Sequence, residues 1–420
     1  MIVLALYLGL FVAAFLLVQG LKRLLRRSGR LEGGPGAART LTVRFGDAGA
    51  VVPNRAASVI SVLAVFLIWG AFTGSAWVPL HVPGPFLGET GFSYRMQDKA
   101  GQLAEAHVAI RVYRVGQEPA LAAPAPAAGF APNLVAKVAA WRSVLIRPQV
   151  AGARVVAVDG RPVAAGVPIR VAHGRLTVTE RGAFSFVPDQ GMQMQPIWLP
   201  PPEAVVARFR EIAANGFQNI PLWVHLSASV LRVLAGFALG ALVGIPLGYA
   251  MGLSGWARGW FDPIVEFMRP VPPLALIPLV IIWFGIWETG KIVLLFLAAL
   301  WIMVIAARAG VSGVRISKIH AAYSLGASKW QILAHVIIPN SLPELFTGAR
   351  VAMGVCWGTV VAAELVAAQK GAGMMIITAS KFQMTDVVVM GILLIGLIGF
   401  AIDLLMRLAE RALVPWKGRG

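Results

Sequence analysis

Hydrophobic positions along this chain fall into two regimes. Long apolar runs occupy residues 2–20, 57–78, 224–252, 262–286, 290–311, 343–367 and 387–408, each near the roughly 20 residues a helix needs to cross a hydrocarbon core. Between residues 80 and 221 the pattern changes to short alternating stretches broken by glycine, proline and charged residues. The first regime predicts membrane-spanning helices, because a helix that is apolar all round has no face for water. The second predicts a separate module outside the bilayer, since strands with one wet face read as alternation.

Within that module, ARVVAV and RPVAA flank Asp159-Gly160, IRVA and RLTVT flank His173-Gly174, and AFSFV follows Arg181-Gly182. Alternation around such turn residues predicts hairpins and a small β-sheet. HGRLTVTERGAFSFVPD resembles the repeats of bacterial immunoglobulin-like and cadherin-like adhesion modules, a resemblance that bears on fold only. Residues 120–132 read as a Pro and Ala linker, and an amphipathic helix is expected over about 133–145. Arg147, Arg154, Arg161, Arg170, Arg175 and Arg181 fit either the solvated face of this module or a surface for an acidic partner.

Composition sharpens the membrane reading. With 58% hydrophobic and 13% charged residues and a mean hydropathy of +0.74, the chain is neither an ordinary soluble globule nor a single-span anchor. The 37 Lys and Arg against 19 Asp and Glu give a net charge of +18, yet the basic residues gather at the ends of apolar runs. That is a topology signal rather than a nucleic-acid footprint. Lys22, Arg23, Arg26, Arg27, Arg30, Arg39, Arg44 and Arg55 separate the first two runs, against Glu32 and Asp47, which assigns residues 21–56 to the cytoplasm and 80–221 to the outside. The first run lacks a basic leader and a cleavage site, so a retained anchor is expected. Alternating the remaining runs puts the loop around His320 and Arg407–Gly420 in the cytoplasm, together with Arg308, Arg315, Lys318, Lys329, Arg411, Lys417 and Arg419. Cys356 is the single cysteine, which excludes an intrachain disulfide.

The cytoplasmic stretch between the fifth and sixth runs has the form of a docking loop. His320 to Trp330 reads as a short helix with Ala321, Ala322 and Leu325 on one face, Gly326 breaks it, Lys329 to Ile338 resumes it and Pro339 stops it. An ordinary cytoplasmic helix pair has the same pattern. HAA-YSL-G-ASKWQILAH-VIIP also resembles the coupling loop of ABC importer permeases, written Glu-Ala-Ala, three residues, Gly, nine residues, Ile-x-Leu-Pro. His320 stands in place of the Glu, and Val336 and Ile338 in place of Ile and Leu, so no acidic contact is carried over at position 320. LPPPEAVVARF, FMRPVPPLALIPLVIIWFGIWETGKI, AAYSLGAS, GTVVAAELVAA and LVPWKG resemble the taurine branch of the nitrate, sulfonate and taurine importers, over roughly residues 198–420.

The resemblance implies an all-α polytopic bundle of the type I, MetI-like permease class, here with an extra N-terminal helix and a periplasmic β-rich insertion. It implies a homodimer in the lipid bilayer of the bacterial inner membrane, working with two copies of an ATPase subunit and a periplasmic substrate-binding protein. ATP and Mg would then belong to the ATPase, which would contact His320, Ala321, Ala322, Leu325, Gly326, Ala327 and Pro339. Residues 1–56 are expected to be the anchor and basic segment, 57–79 the first helix of the permease core, 80–197 the accessory module and 198–420 the transport domain.

Other features inside the apolar runs call for a physical reading. Gly236, Gly240, Gly244, Gly248 and Gly252 recur every fourth residue and clear a stripe for close helix approach, within the chain or between copies. Pro246 is expected to bend that helix. Arg269, Pro272 and Pro273 interrupt the next run, as a broken helix lining a path or as a packing kink. Glu364, flanked by apolar residues, is costly unless paired or wet. It fits a gate beside the path, or a structural partner for a cation such as Lys291. Asp262, Glu266 and Arg269 are spaced for local ion pairs, and Arg350 and Asp403 lie near span ends where they snorkel or pair. Gly285 to Lys291 imitates a nucleotide loop, but Ile292 replaces the Ser or Thr that holds Mg, and the segment reads as an outer turn. No grouping suggests a catalytic or metal site. The sequence therefore points to an importer permease for a small anion such as taurine, an alkanesulfonate or nitrate. A membrane-anchored sensor or scaffold, with a ligand- or protein-binding β module and no transport, is the alternative.

Overall fold

The computed structural model describes residues 2–27, 55–121, 123–127, 129–148, 150 and 152–416. Arg30, Glu32, Arg39, Arg44 and Asp47, Lys417 and Arg419, and the side chains of Lys22, Arg23, Arg26, Arg27 and Arg55, lie outside that description, and with them residues 28–54 of the expected basic segment 21–56. The chain divides into two compact units, Met1–Glu203 and Ala204–Gly420.

In the first unit, α1 (Ile2–Arg27) packs on α2 (Arg55–Thr73). Tyr7, Ala71 and Val78 are buried at the contact, and the Tyr7 hydroxyl donates to the Leu80 carbonyl at 2.8 Å. Their apolar stretches, Ala5–Leu17 and Ala57–Thr73, are short of the roughly 20 residues of a standard span. The strands that follow are β1 (Gly88–Gln97), β2 (Leu103–Tyr113), β3 (Leu134–Ala139), β4 (Val144–Ile146), β5 (Arg154–Val158), β6 (Arg161–Pro162), β7 (Pro168–Val171), β8 (Gly174–Val178) and β9 (Phe184–Pro188). They form two sheets, ordered β3-β2-β1-β5-β6 and β4-β9-β8-β7.

Hairpins close at Asp159-Gly160, at Ala172-His173 and between Val178 and Phe184. Asp159 and Gly160 both take positive φ, 46° and 74°, as a tight turn matched to strand twist requires. β2 buries every second residue from Ala104 to Val112, and the two sheets share one core. Phe92 and Tyr94 of β1 meet Phe184 of β9 edge-on, at centroid distances of 5.2 and 5.0 Å. The expected helix over 133–145 does not form. Leu134, Val138, Trp141 and Leu145 suit helical spacing, but Ala136, Val138 and Ala140 alternate into the core, β3 pairs in parallel with β2, and Trp141 at φ 64° ends any regular run.

The second unit is helical. α3 (Pro202–Asn215) straddles the division. After it come α4 (Leu222–Leu253), α5 (Gly255–Met268), α6 (Ile277–Phe284), α7 (Glu288–Ser312), α8 (Ile316–Ser324), α9 (Lys329–Ile332), α10 (Ile338–Ala367), α11 (Ala372–Lys381) and α12 (Thr385–Leu413). A Cβ at Gly236 would strike Leu295, one at Gly240 would lie 2.6 Å from that of Ala299, and one at Gly252 2.7 Å from that of Val311. The numbers rise together, so α4 and α7 run parallel. The stripe serves this intrachain contact, where small residues let backbones approach.

Parallel neighbours require the chain to return between residues 253 and 288. It does so through a broken element in which α5, a 3₁₀ turn over Pro273–Leu276 and α6 meet at 91°. Val265 of α5 packs with Leu300 and Val304, and Val280 of α6 with Leu294, so this element runs antiparallel to α7. The run expected at 262–286 is thus not one straight helix, because Pro270, Pro272 and Pro273 withhold backbone donors and Pro272 holds an extended conformation. α10 is antiparallel to α7, with Ser341 against Gly310 and the Cys356 thiol donating to the Leu295 carbonyl at 3.4 Å. α12 is antiparallel to α10, with Trp357 Nε1 donating to the Ile395 carbonyl at 3.1 Å. α4, α7 and α12 therefore share one direction. The connection from α7 to α10 lies on the same face as the end of α12, and the α6–α7 turn and α11 lie on the opposite face.

Candidate coupling loop and charged core

The loop on the first face is built from short helical pieces. α8 starts at Ile316, earlier than expected, and ends at Ser324. Gly326 then adopts φ 81° with open space where a side chain would be, a conformation that favours glycine. Ser328 and Gln331 form a reciprocal capping box that starts α9. A π-turn over Leu333–Ile337 leads directly into α10. Pro339 therefore does not stop the helix. It sits in the first turn of α10, where the wider turn before it accommodates the missing donor and the ring.

Ile319, Ala322 and Ala327 pack onto Val311, Ile332 and Ile337 beneath the loop. His320, Ala321, Leu325 and Gly326 face outward. Ala321 and Ala322, expected on one face, are thus divided between the outer surface and the underside. Leu325 is 87% exposed and Trp330 79%, a cost in water that a partner surface would remove.

At the other face the core is charged. Arg232 of α4 lies between two carboxylates: Nη1 donates to Glu364 Oε1 at 2.6 Å, while Nε and Nη2 grip Glu288 at 2.5 and 2.7 Å. Glu364 also accepts from the Ser229 hydroxyl at 2.7 Å and from the Gly373 amide at 2.9 Å. The second bond meets the N-terminal turn of α11, where backbone donors are free and negative charge is favoured. His225 Nδ1 accepts from the Gly371 amide at 3.2 Å, so one polar face of α4, His225, Ser229 and Arg232, anchors the segment that starts α11. Lys291 lies 3.4 Å from Glu288.

Glu364 is therefore paired with Arg232 rather than with Lys291. Arg232, Ser229 and His225 were not singled out from the sequence, although their spacing of four and three residues within an apolar run is the signal that finds them. Arg269 ends α5, half-open to solvent and 3.9 Å from Glu266. Pro272 and Pro273 adjoin the 3₁₀ turn, and none of the three reaches the Glu364 cluster. Asp262 and Glu266 are bound by Arg308 of α7, across helices rather than only locally. Arg350 pairs with Asp403 at 3.2 Å. Of Gly285 to Lys291, the first three residues form the turn between α6 and α7, and Glu288 to Lys291 make the first turn of α7. Arg208 of α3 donates to Asp386 at 2.7 Å and to Glu211 at 2.7 Å, and the bond to Asp386 holds its guanidinium more firmly charged than usual.

Residues 240–415 match the model of the binding-protein-dependent transport system inner membrane component family. The chain is 49% identical to the taurine transport system permease protein TauC of Escherichia coli, over 54% of this chain and 82% of that protein. This chain belongs to the ABC transporter permease family, in its taurine, sulfonate and nitrate branch. The putative aliphatic sulfonates transport permease protein SsuC of Escherichia coli is 40% identical over 52% of this chain and 81% of its own length. The nitrate import permease protein NrtB of a Synechocystis strain is 30% identical over 48% and 73%. As a member of this family the chain is the multi-pass inner-membrane permease subunit of an ABC importer, not its ATPase, and the family implies a separate ATPase and a binding protein as partners. Its helical membrane part is accompanied by a β-rich N-terminal region.

Proposed function

We propose that this permease imports a small sulfonate or related oxyanion: taurine, whose sulfonate is balanced by its own ammonium, an alkanesulfonate or nitrate. It works by alternating access, as a homodimer with two ATPase subunits and a periplasmic binding protein. The outward-facing loop carries the reading: Leu325 and Trp330 are apolar and exposed beside Gly326, whose surroundings leave room for another protein's surface. An ATPase seated there would pull on α8 and α9, and the packing of Ala322 and Ala327 on Val311 and Ile337 would pass the movement to α7 and α10. The names of the relatives supply the cargo class. In this reading residues 198–420 carry transport, 57–79 lead into the core, 1–56 anchor the chain and 80–197 form a periplasmic accessory to the binding protein.

The test is uptake into proteoliposomes holding the permease with its ATPase, with binding protein outside. ATP-dependent accumulation of labelled taurine, butanesulfonate or nitrate supports the proposal. ATP hydrolysis without uptake of any of them refutes the cargo class. Excising residues 84–194 and joining the ends should reduce uptake only at limiting binding protein. Loss at saturating binding protein, with normal insertion, would place the module in the translocation machinery.

A further inference from the structure

The face that carries the charged core also holds an open cleft of about 600 Å³, bounded by the α6–α7 turn, the end of α10 and α11. Lys291, Lys370 and Lys381 line it, with Glu288 and Glu364 as its acids. Both acids are held by Arg232, so they do not neutralise the lysines one for one. The Lys291 side chain is 93% buried, being 7% exposed, and has Glu288 beside it at 3.4 Å. A buried ammonium with one long contact to a shared carboxylate keeps donors for a further acceptor. Trp287 and Met374 add apolar wall, and Thr378 a hydroxyl.

We propose that this cleft binds a small organic monoanion directly, its acidic oxygens on Lys291, Lys370 and Lys381 and its short alkyl portion against Trp287 and Met374. The inference deepens the import reading and rests on it. A cationic, half-apolar recess at the face opposite the coupling loop would hold the cargo between its release by the binding protein and its passage through the bundle. Charge-assisted bonds supply the affinity, and the apolar wall disfavours small hydrated inorganic anions.

The experiment is equilibrium binding of radiolabelled butanesulfonate to the full-length permease with its ATPase in nanodiscs, without binding protein. Wild type should bind saturably, more weakly as salt rises, with competition from other alkanesulfonates but not from a neutral butyl sulfone. The double variant Lys370→Gln/Lys381→Gln should weaken binding by about tenfold or more, and the Lys370→Arg/Lys381→Arg pair should retain it. Absence of saturable wild-type binding, or equal affinity in the Gln variant, overturns the proposal. So does a result in which the Gln variant binds butanesulfonate normally but loses affinity for the binding protein, since the lysines would then be a docking surface. Wild-type uptake measured in parallel separates the two claims: if sulfonate is transported but not bound here, only the cleft fails.

Discussion

At the scale of single residues, Arg232 holds the largest electrostatic stake. Replacing it with Met leaves Glu288 and Glu364 facing each other without their shared cation, and breaking a buried pair from one side costs about 3–5 kcal/mol. Thermal unfolding in detergent should show Arg232→Met well below wild type, and Arg232→Met/Glu364→Gln should recover part of the loss. An unchanged midpoint for Arg232→Met would mean the cluster is hydrated and contributes little. Tyr94 makes a second prediction. Burial in the β core pushes its hydroxyl up to about 12, against about 10 in an unfolded chain. The neutral form is the one favoured by folding, so its contribution is complete below pH 10 and is lost as pH rises from 10 towards 12. Alkaline absorbance titration should find a late-ionising tyrosine component in wild type whose amplitude falls by one tyrosine in Tyr94→Phe. Glu364 was visible from the sequence because an isolated carboxylate among apolar residues demands an explanation. Its partner was not, because Arg232 lies 132 positions away and only folding chooses between it and Lys291.

At the scale of elements, the contact of α4 with α7 sets the geometry of the bundle. Gly240→Val would force a branched side chain into Ala299, where the Cβ alone would already lie 2.6 Å away. Overpacking of this kind costs about 1–3 kcal/mol or more. Gly396→Ala on α12 meets nothing within 4 Å and should be neutral or stabilise by up to about 1 kcal/mol. Comparing the melting midpoints of the two variants tests whether the stripe is a packing seam; equal effects would remove that role. The long membrane helices of the second unit were legible because apolar length is a strong signal, as was the Asp159-Gly160 turn; the second hairpin closes at Ala172-His173, one residue before the expected His173-Gly174. The β1–β2 pair was missed although Val108, Ile110 and Val112 alternate inward, because the first half of β2 puts only Ala104 and Ala106 on that face, which contrast weakly with their neighbours. The parallel pairing of β3 with β2 was illegible for another reason: it joins segments across a Pro and Ala stretch with no local turn to announce it.

At the scale of the molecule, the two faces of the helical bundle differ in character: an exposed apolar loop lies on one and a charged core with a cleft on the other. α7 connects them. It runs from Glu288, beside Arg232, to Val311, beneath the loop, about 35 Å at 1.5 Å per residue. Under the proposed coupling, displacement at the loop would travel along this one continuous helix. The spacing of Ala321, Ala322, Gly326 and Pro339 made the loop recognisable in sequence, while the π-turn that lets Pro339 sit inside the helix left no pattern to read. The most direct test of the central claim is ATP hydrolysis by the complete complex carrying Leu325→Asp, a change on a side chain that packs against nothing beneath it and so should leave insertion and folding intact. Cargo-stimulated hydrolysis should fall to the unstimulated level, with uptake lost alongside it; wild-type stimulation and uptake in a correctly inserted Leu325→Asp complex would contradict the assignment of this loop as the coupling site.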